Sequence, residues 1–344
     1  MANLTDHQIM HVAESVYGTA VAVSRAVPFL PDSKADWDPT PYQGKGLWVG
    51  APGGVFRSDR RGPGIGQGKL TEKYEAQSKG LGVVLNAAFG TSTHTVTGTA
   101  GTYQQVFTPT ATGTVLPSRT VQLAVVDNAG TARPETFAGV TVDELELEVP
   151  EGPDSIATWT FTSDAKSMLT ATTLGTWTPA ASASLFGGWS TTAVVTLGGT
   201  ITAPTTIALA TSSGSAVTDL TSLTFSLKNN LDDGRWGLGT RGQPTVGRRE
   251  LSLKWGQEFT AQTIRDLQIS QGKTALLMTL TTGETLSLGS ATLQLAFPTV
   301  FIDTGGLPDP TDGETVKGDV SASLLWDGTL MPAYVVTRTA DAAL

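Results

Sequence analysis

Period-two alternation of apolar and polar side chains recurs along this 344-residue chain and limits what it can fold into. Residues 142–149 are the clearest case, because Leu145, Leu147 and Val149 fall on one side of an extended strand and glutamates fall on the other. Similar alternation returns at residues 120–126 and in the C-terminal third of the chain. The pattern predicts an all-β protein with one or two short helices, in which each strand has one packed side.

The polar side of residues 142–149 consists of Glu144, Glu146 and Glu148. One interpretation is the solvated side of a half-buried strand. The other is a functional surface, because three acids on one strand face repel each other and suit a place where their field is used. The residues alone leave both interpretations open.

One segment has clear helical spacing, with Ser78 expected as its N-cap and Gly90 as its C-cap. Its narrow apolar stripe suits packing on one side of a sheet. The stripe consists of Leu81, Val84, Leu85 and Ala88. A second, short helix is predicted between residues 260 and 272.

Three turn signals separate alternating segments and predict hairpins. They are residues 127–130 (Asp-Asn-Ala-Gly), Thr282-Gly283 and Asp327-Gly328. Short connections of this kind favour antiparallel pairing.

The composition narrows the function classes. The absence of cysteine excludes a disulfide scaffold, a thiolate metal site and a cysteine nucleophile. The formal net charge is −9 and the pI is near 4.8, so binding of nucleic acid through its phosphates is disfavoured over the surface as a whole. No Gly-x-Ser-x-Gly elbow occurs, and three histidines leave few general bases. We therefore expect a structural protein rather than an enzyme, and no cofactor.

Two patterns resemble known sites but lack necessary residues. His7 and His11 are spaced like the ligands of a zinc-binding helix, yet Gln8 stands where the catalytic Glu must be, so ordinary surface histidines are expected. Residues 60–69 resemble a phosphate-binding loop, but Pro63 replaces a required Gly and a strand rather than a helix follows.

Two acidic clusters could in principle hold calcium, but their spacing matches no EF-hand loop, so turns are expected and no metal site is predicted. One cluster is Asp309, Asp312 and Glu314, and the other is Asp232 and Asp233 beside Gly234.

Composition divides the chain into four parts. Residues 1–64 are expected to form an N-terminal arm and long loop, because the prolines and glycines of residues 28–63 disfavour helix and ladder alike. This arm either reaches onto a neighbour or wraps its own domain. Residues 65–166 and 219–344 are expected to be the two parts of one β domain. Residues 167–218 lack any charged residue and form an inserted Thr-, Ala- and Gly-rich lobe.

The inserted lobe contains enough apolar anchors to fold as short strands, and we expect it to project outward. An exposed, aggregation-prone loop is the alternative.

Residues 13–19 (Ala-Glu-Ser-Val-Tyr-Gly-Thr), followed by Arg25 and Pro28, are similar to the opening Glu-x-x-x-Gly-Thr stretch of the tail tube (major tail) proteins of long-tailed bacteriophages with flexible tails. The resemblance continues in the strand at residues 69–76, the helix that ends at residues 85–90, and residues 137–149. The C-terminal strands fit less specifically, and residues 167–218 lie outside the resemblance.

The resemblance implies a tail-tube-type β sandwich or barrel whose inner sheet joins those of five copies in a hexameric ring. Rings of such proteins stack, and their inner sheets form a channel for viral DNA and the tape-measure protein. The tail terminator and distal tail proteins are further expected partners, whereas a membrane is not. The expected location is the virion tail, after synthesis in the host bacterial cytoplasm.

Within this interpretation, the three glutamates of residues 142–149 are candidate lumen-facing acids, because carboxylates repel phosphates over about 8 Å at physiological salt. The stripe of the first helix, Leu81, Val84, Leu85 and Ala88, is a candidate subunit contact.

Two other functions remain open. One is a receptor- or glycan-binding virion β protein that uses Trp177 and Trp189 of the inserted lobe as a stacking surface. The other is a small-molecule or carbohydrate enzyme. Electron microscopy would separate these from a tube protein, which forms rings or tubes.

Overall fold

The alternating segments fold as strands of a large antiparallel sheet in the computed structural model. The structure describes residues 7–46, 58–98, 101–152, 154–170, 172–178, 180, 182–188, 192–258, 262–305 and 317–342. Within them, every strand ladder is antiparallel. The predicted all-β class with two short helices is confirmed.

The strands of the N-terminal half are β1 (Gln8–Ala13), β2 (Arg25–Ala26), β3 (Lys34–Asp38), β4 (Tyr42–Gln43), β5 (Arg61–Gly62), β6 (Gln67–Glu75), β7 (Gly90–Val96), β8 (Tyr103–Pro109), β9 (Arg119–Val126), β10 (Ala132–Val149), β11 (Thr158–Ala165) and β12 (Ser167–Leu169). A 3-10 helix spans Ser58–Arg60, and α1 spans Gly82–Phe89.

The strands of the C-terminal half are β13 (Thr192–Leu197), β14 (Ile201–Thr202), β15 (Thr211–Ser212), β16 (Ser215–Val217), β17 (Leu220–Lys228), β18 (Leu231–Asp232), β19 (Trp236–Gly237), β20 (Thr240–Arg241), β21 (Thr245–Val246), β22 (Glu250–Glu258), β23 (Thr274–Leu286), β24 (Gly289–Gly305), β25 (Lys317–Leu324) and β26 (Tyr334–Thr339). Helix α2 spans Thr263–Ser270, within the segment where the sequence predicts a helix.

Pairing runs in the order β3, β6, β11, β10, β17, β22, β25, β24, β23, β13 and β16. Two long strands, β10 and β24, also pair with strands outside this series. The first part of β10 pairs with β9 and β12, and β9 continues to β1 and β2. Strand β24 also pairs with β26, which continues to β8 and β7.

The sheet curls so that its two halves face each other across one main core. Phe225 of β17 lies 5.2 Å from Phe297 of β24, measured between ring centroids, and 6.5 Å from Phe89 of α1. Leu145 and Leu147 of β10 are fully buried in the same cluster. Burial of such side chains stabilises the fold by about 1.5–3 kcal/mol each.

Helix α1 fills this core instead of lying on the surface. Gly90 is its C-cap, as predicted, with a φ of 86° and an amide that donates to the Asn86 carbonyl. Ser78 is not the N-cap; Leu81 holds that position, and the Ser78 hydroxyl donates to Glu284.

The assignment of α1 to a subunit contact needs correction. The four stripe residues are at most 4% exposed within their own chain, so they leave almost no side-chain surface for a neighbour. Packing of the stripe on the sheet accounts for its apolar character. The residues concerned are Leu81, Val84, Leu85 and Ala88.

Two of the three predicted hairpins are wrong. Thr282 and Gly283 do not form a turn; they lie within β23, where its register with β24 shifts, and the connection comes after Leu286. Strands β25 and β26 flank Asp327-Gly328 but do not pair with each other, because both pair with β24. The turn at residues 127–130 does connect the paired strands β9 and β10.

The proline-rich arm is partly a strand. Residues 34–38 contain no proline and form β3, which pairs with β6 of the same chain. The expectation that the whole of residues 28–63 avoids ladders is therefore wrong for this stretch, and also for β4 and β5, which pair with each other. Residues 47–57 of the arm lie outside the described residues.

The described part of the inserted lobe is integrated into the sheet. Strand β13 pairs with β23, and β14 pairs with β15. Ile201 and Ala210 pack on Ala296 and Val336 in a second, smaller core. These contacts hold this part of the lobe against the sheet.

A closed ring of buried polar contacts joins β1, β6 and β9. Arg119 pairs with Glu72 and donates to Nδ1 of His11 at 3.2 Å. Because that nitrogen accepts, neutral His11 carries its proton on Nε2, which lies 2.8 Å from the Tyr74 hydroxyl. The hydroxyl in turn donates to Glu72 at 3.2 Å.

All four members of this ring are at most 2% exposed. Burial first, and then the positive charge of Arg119, hold the pKa of His11 well below its usual 6.5. His11 is thus a buried residue on a strand, and the expectation of a surface histidine is wrong for it.

We predict that the protein becomes less stable as the pH falls below about 6.5, because His11 is buried in its neutral form. As the pH falls, the unfolded chain binds a proton at His11 that the folded chain does not bind. Lowering the pH from 7.5 to 5.5 should therefore reduce the free energy of unfolding by about 1.4 kcal/mol. Urea unfolding of the wild type and His11→Gln at both pH values measures this difference. The drop should be smaller in His11→Gln and unchanged in His7→Gln; equal drops in all three proteins would contradict the assignment.

We also predict that Arg119→Met destabilises the protein by about 3–5 kcal/mol, because it leaves the Glu72 carboxylate buried without a cation. The double variant Arg119→Met, Glu72→Gln should recover a large part of the loss, since it removes the uncompensated charge. Chemical unfolding of the wild type, Arg119→Met, Glu72→Gln and the double variant tests the coupling. Additive effects of the two substitutions would show that the ion pair is not coupled.

Candidate functional surface

The outward sides of six consecutive strands form one continuous polar surface, which we call the polar face. Its strands are β6, β11, β10, β17, β22 and β25, in this order. Because their inward side chains fill the core, the alternate positions point outward. The outward side chains are Lys69, Thr71, Lys73, Glu75, Thr158, Thr160, Thr162, Glu144, Glu146, Glu148, Thr224, Ser226, Lys228, Glu250, Ser252, Lys254, Ser321 and Ser323.

The three glutamates lie in the middle of the polar face and not at its edge. Glu146 lies between Thr160 of β11 and Ser226 of β17, and Glu148 lies between Thr158 and Thr224. Glu144 and Glu146 are half-buried and Glu148 is exposed. The predicted division of residues 142–149 into a packed side and a solvent-facing side is confirmed.

A lysine on an adjacent strand compensates part of the acidic charge. Lys228 of β17 is directly opposite Glu144, with 3.1 Å between its Nζ and the carboxylate oxygen. This hydrogen bond, followed by the charge of Glu144, raises the pKa of Lys228. Within the described part of the chain, no basic side chain lies within ion-pair distance of Glu146 or Glu148. The uncompensated negative charge of the row therefore comes from these two residues.

The sequence shows the lysines and hydroxyl groups as the polar sides of separate strands, but it does not show that they meet on one surface. Lys228 lies directly beside Glu144, whereas Lys73 and Lys254 are each separated from the glutamates by one strand. These positions depend on strand order and register. The threonines of β11 suit a strand because their β-branched side chains pack well on a pleated surface. The result is a hydroxyl-rich face with both signs of charge.

A buried ion pair anchors the excursion between β17 and β22 at one end of the polar face. The Arg241 side chain pairs with Asp164 of β11 and donates to the Ala165 carbonyl at 3.2 Å. Burial raises the pKa of Asp164, although hydrogen bonds from Arg241 and Gln67 oppose this. The sequence contains no local signal for this pair, because its members come from distant strands.

The candidate metal ligands are not brought together. Gln67 donates to the Asp233 carboxylate at 3.2 Å, and the Asp233 carbonyl accepts from Arg241. No group of three His, Asp or Glu side chains in the described ranges is arranged to hold a metal ion. Asp309, Asp312 and Glu314 lie outside those ranges.

The remaining candidates are also separate. His7 and His11 lie on or beside a strand rather than a helix, and Nδ1 of His7 accepts from the Val126 amide at 3.2 Å. Trp177 is half-buried, and Trp189 lies outside the described residues. The phosphate-loop-like residues 60–69 lead directly into β6, as predicted. No described helix is long and apolar enough to cross a membrane.

A known protein family accounts for most of this sequence. A family model described as "Phage tail tube protein" matches residues 5–328, which is nearly the whole chain. No curated protein matches the sequence. The match covers α1 and all six strands of the polar face, and also the inserted lobe that the sequence resemblance leaves out. The chain therefore belongs to the phage tail tube protein family.

Proposed function

We propose that this structural component of the phage tail assembles with copies of itself into stacked hexameric rings, and that the polar face lines the channel through which viral DNA passes. The family supplies the coarse function, which is a tail tube protein of the virion. The observation that carries the finer proposal is the composition of the polar face. None of the exposed large apolar side chains of the described residues lies on its six strands.

A channel for DNA needs a wall that does not hold phosphate. Each free lysine or arginine contact adds salt-dependent affinity through the release of counterions. Five glutamates and four lysines point outward from the polar face. Lys228 is paired with Glu144 and Lys73 with Asp32, whereas Lys69 and Lys254 are exposed. Hydroxyl groups between them stay hydrated without attracting anions strongly. The surface thus combines a small excess of negative charge with many neutral hydroxyl groups.

Ring closure would satisfy an open strand edge. In the described residues, β3 pairs with β6 on one side only, at the lateral end of the strand series that contains the polar face. Unpaired edges of this kind are templates for pairing with another chain. A strand of a neighbouring copy beside β3 would extend the inner sheet from one subunit to the next.

A position in the phage tail implies contacts with other tail proteins. The tape-measure protein would occupy the channel before DNA passes, and the tail terminator and distal tail proteins would contact the two ends of the tube. DNA would pass without specific binding, and neither a cofactor nor catalysis is part of the proposal.

We predict that the purified protein forms rings or tubes in negative-stain electron micrographs, with a central channel. Sedimentation at rising protein concentration should show growth beyond the 35.8 kDa monomer. A protein that stays monomeric at every concentration and salt condition would contradict the proposal.

We predict that Glu146→Lys combined with Glu148→Lys slows DNA release from otherwise intact particles at least several-fold. The new ammonium groups would bind phosphates, so added salt should restore the rate. The double variant Glu146→Gln, Glu148→Gln removes the repulsion of DNA phosphates without adding an attractive charge. It should slow DNA release less than the lysine variant does. Asp266→Lys on α2, outside the polar face, is the control. Wild-type release from particles of the lysine variant would exclude a lumen position for these residues.

A further inference from the structure

Hairpin β19–β20 presents the most exposed large apolar side chain of the described residues. Leu238, at the tip, is fully exposed, and Trp236, on its first strand, is 48% exposed. The exposed leucine makes no contribution to its own core. Apolar groups grouped on a protruding element are typical of interaction sites.

The hairpin is held rigidly by its base. The Arg241 guanidinium lies 5.2 Å from the centre of the Trp236 ring and is itself buried by its pairing with Asp164. The Trp236 amide donates to the Gly234 carbonyl at 2.9 Å, and the Gly242 amide donates to the Arg235 carbonyl at 2.9 Å. A tip fixed in this way loses little conformational freedom when it binds, which favours affinity.

A groove of about 370 Å³ with both apolar and polar lining residues opens between the two halves of the curled sheet. Its apolar lining includes Val149, Val195, Val217, Leu220, Met278 and Leu280. Val217 and Leu220 are half-buried at its margin, whereas Met278 and Leu280 form its floor in the core. The groove has room for an apolar side chain of the size of leucine.

The hairpin and the groove lie at opposite ends of the same strands. The hairpin follows the end of β17 at which Lys228 pairs with Glu144, and the groove lies at the end at which Leu223 pairs with Val149. Strand β17 has nine residues, so the two ends are about 26 Å apart at about 3.3 Å per residue. One copy therefore cannot fill its own groove with its own hairpin.

The charges around the two features are complementary. Residues 229–249 carry four arginines and two aspartates, and Arg235 and Arg248 are exposed. Acidic residues adjoin the lining residues of the groove in the chain, and one of them, Glu151, is paired with Lys317. The acids beside the lining residues are Glu148, Glu151, Asp154 and Asp219.

We infer that the tip of hairpin β19–β20 inserts Leu238 into the groove of a second copy of this chain. The contact is head-to-tail, because it joins different surfaces of identical subunits, and contacts of this kind repeat from copy to copy. It rests on the proposed function and specifies one surface through which copies join. The arginines of one copy then face the acidic residues beside the groove of the next.

Disulfide trapping tests the contact in a chain that has no cysteine of its own. In Leu238→Cys combined with Val217→Cys, only another copy can bring the two sulfurs together, because a disulfide requires Cα atoms about 4.4–6.8 Å apart. Mild oxidation of assembled protein should give a ladder of covalent multimers in non-reducing electrophoresis. Val16→Cys, an exposed apolar position outside the hairpin, replaces Leu238→Cys in the control pair and should give no ladder.

A second variant measures the contribution of the same contact. Leu238→Ser removes an exposed side chain, so folding should be unaffected, but the protein concentration needed for tube growth should rise about tenfold or more. Val16→Ser should leave it unchanged. The Leu238→Cys single variant must not dimerise through its own cysteine, because that would indicate a two-fold contact between hairpins.

The outcomes separate this inference from the proposed function. Tubes without a ladder, or tubes of Leu238→Ser at the wild-type concentration, would overturn the hairpin contact and leave the tube function intact. A wild-type protein that forms neither rings nor tubes would overturn the function itself.

Discussion

One backbone segment, the 18-residue strand β10, has to satisfy two different ladders. Its first part pairs with β9 and β12, and its second part pairs with β11 and β17. The change occurs between two register shifts, and Gly139 adopts a φ of 67° at the first of them. A slip of one residue would exchange Leu145 and Leu147 with the glutamates, so burial of these leucines fixes the register on which the polar face depends.

The sequence predicts the strands of this protein better than it predicts their partners. Alternation correctly marks β10, β17 and β22, because the inside and outside of a half-buried strand follow from side-chain polarity alone. The hairpin signal at Asp327-Gly328 fails for a different reason. A turn dipeptide permits pairing of its neighbours but does not prevent both from pairing with a third strand, and β24 is long enough to take β25 and β26 along its length.

The polar face is likewise predictable from the sequence only in part. The row formed by Glu144, Glu146 and Glu148 is visible in eight consecutive residues, whereas Lys228 reaches Glu144 only through a ladder between segments distant in the chain. The buried pair of Arg119 and Glu72 also requires long-range packing. Glu72 interrupts the apolar side of β6, which marks it as unusual, but its partner cannot be found by local pattern. Charge balance is therefore a property of the tertiary fold.

The continuity of β10 has a mechanical consequence. Because a single extended backbone runs from the ladder of β1 and β9 into the polar face, tension applied near the N-terminus acts along this strand rather than across a flexible joint. A load parallel to an antiparallel ladder shears many hydrogen bonds at once, whereas a perpendicular load opens them one after another. Bending of an assembly built from such subunits would then be absorbed between subunits, and the wall of each would keep its shape.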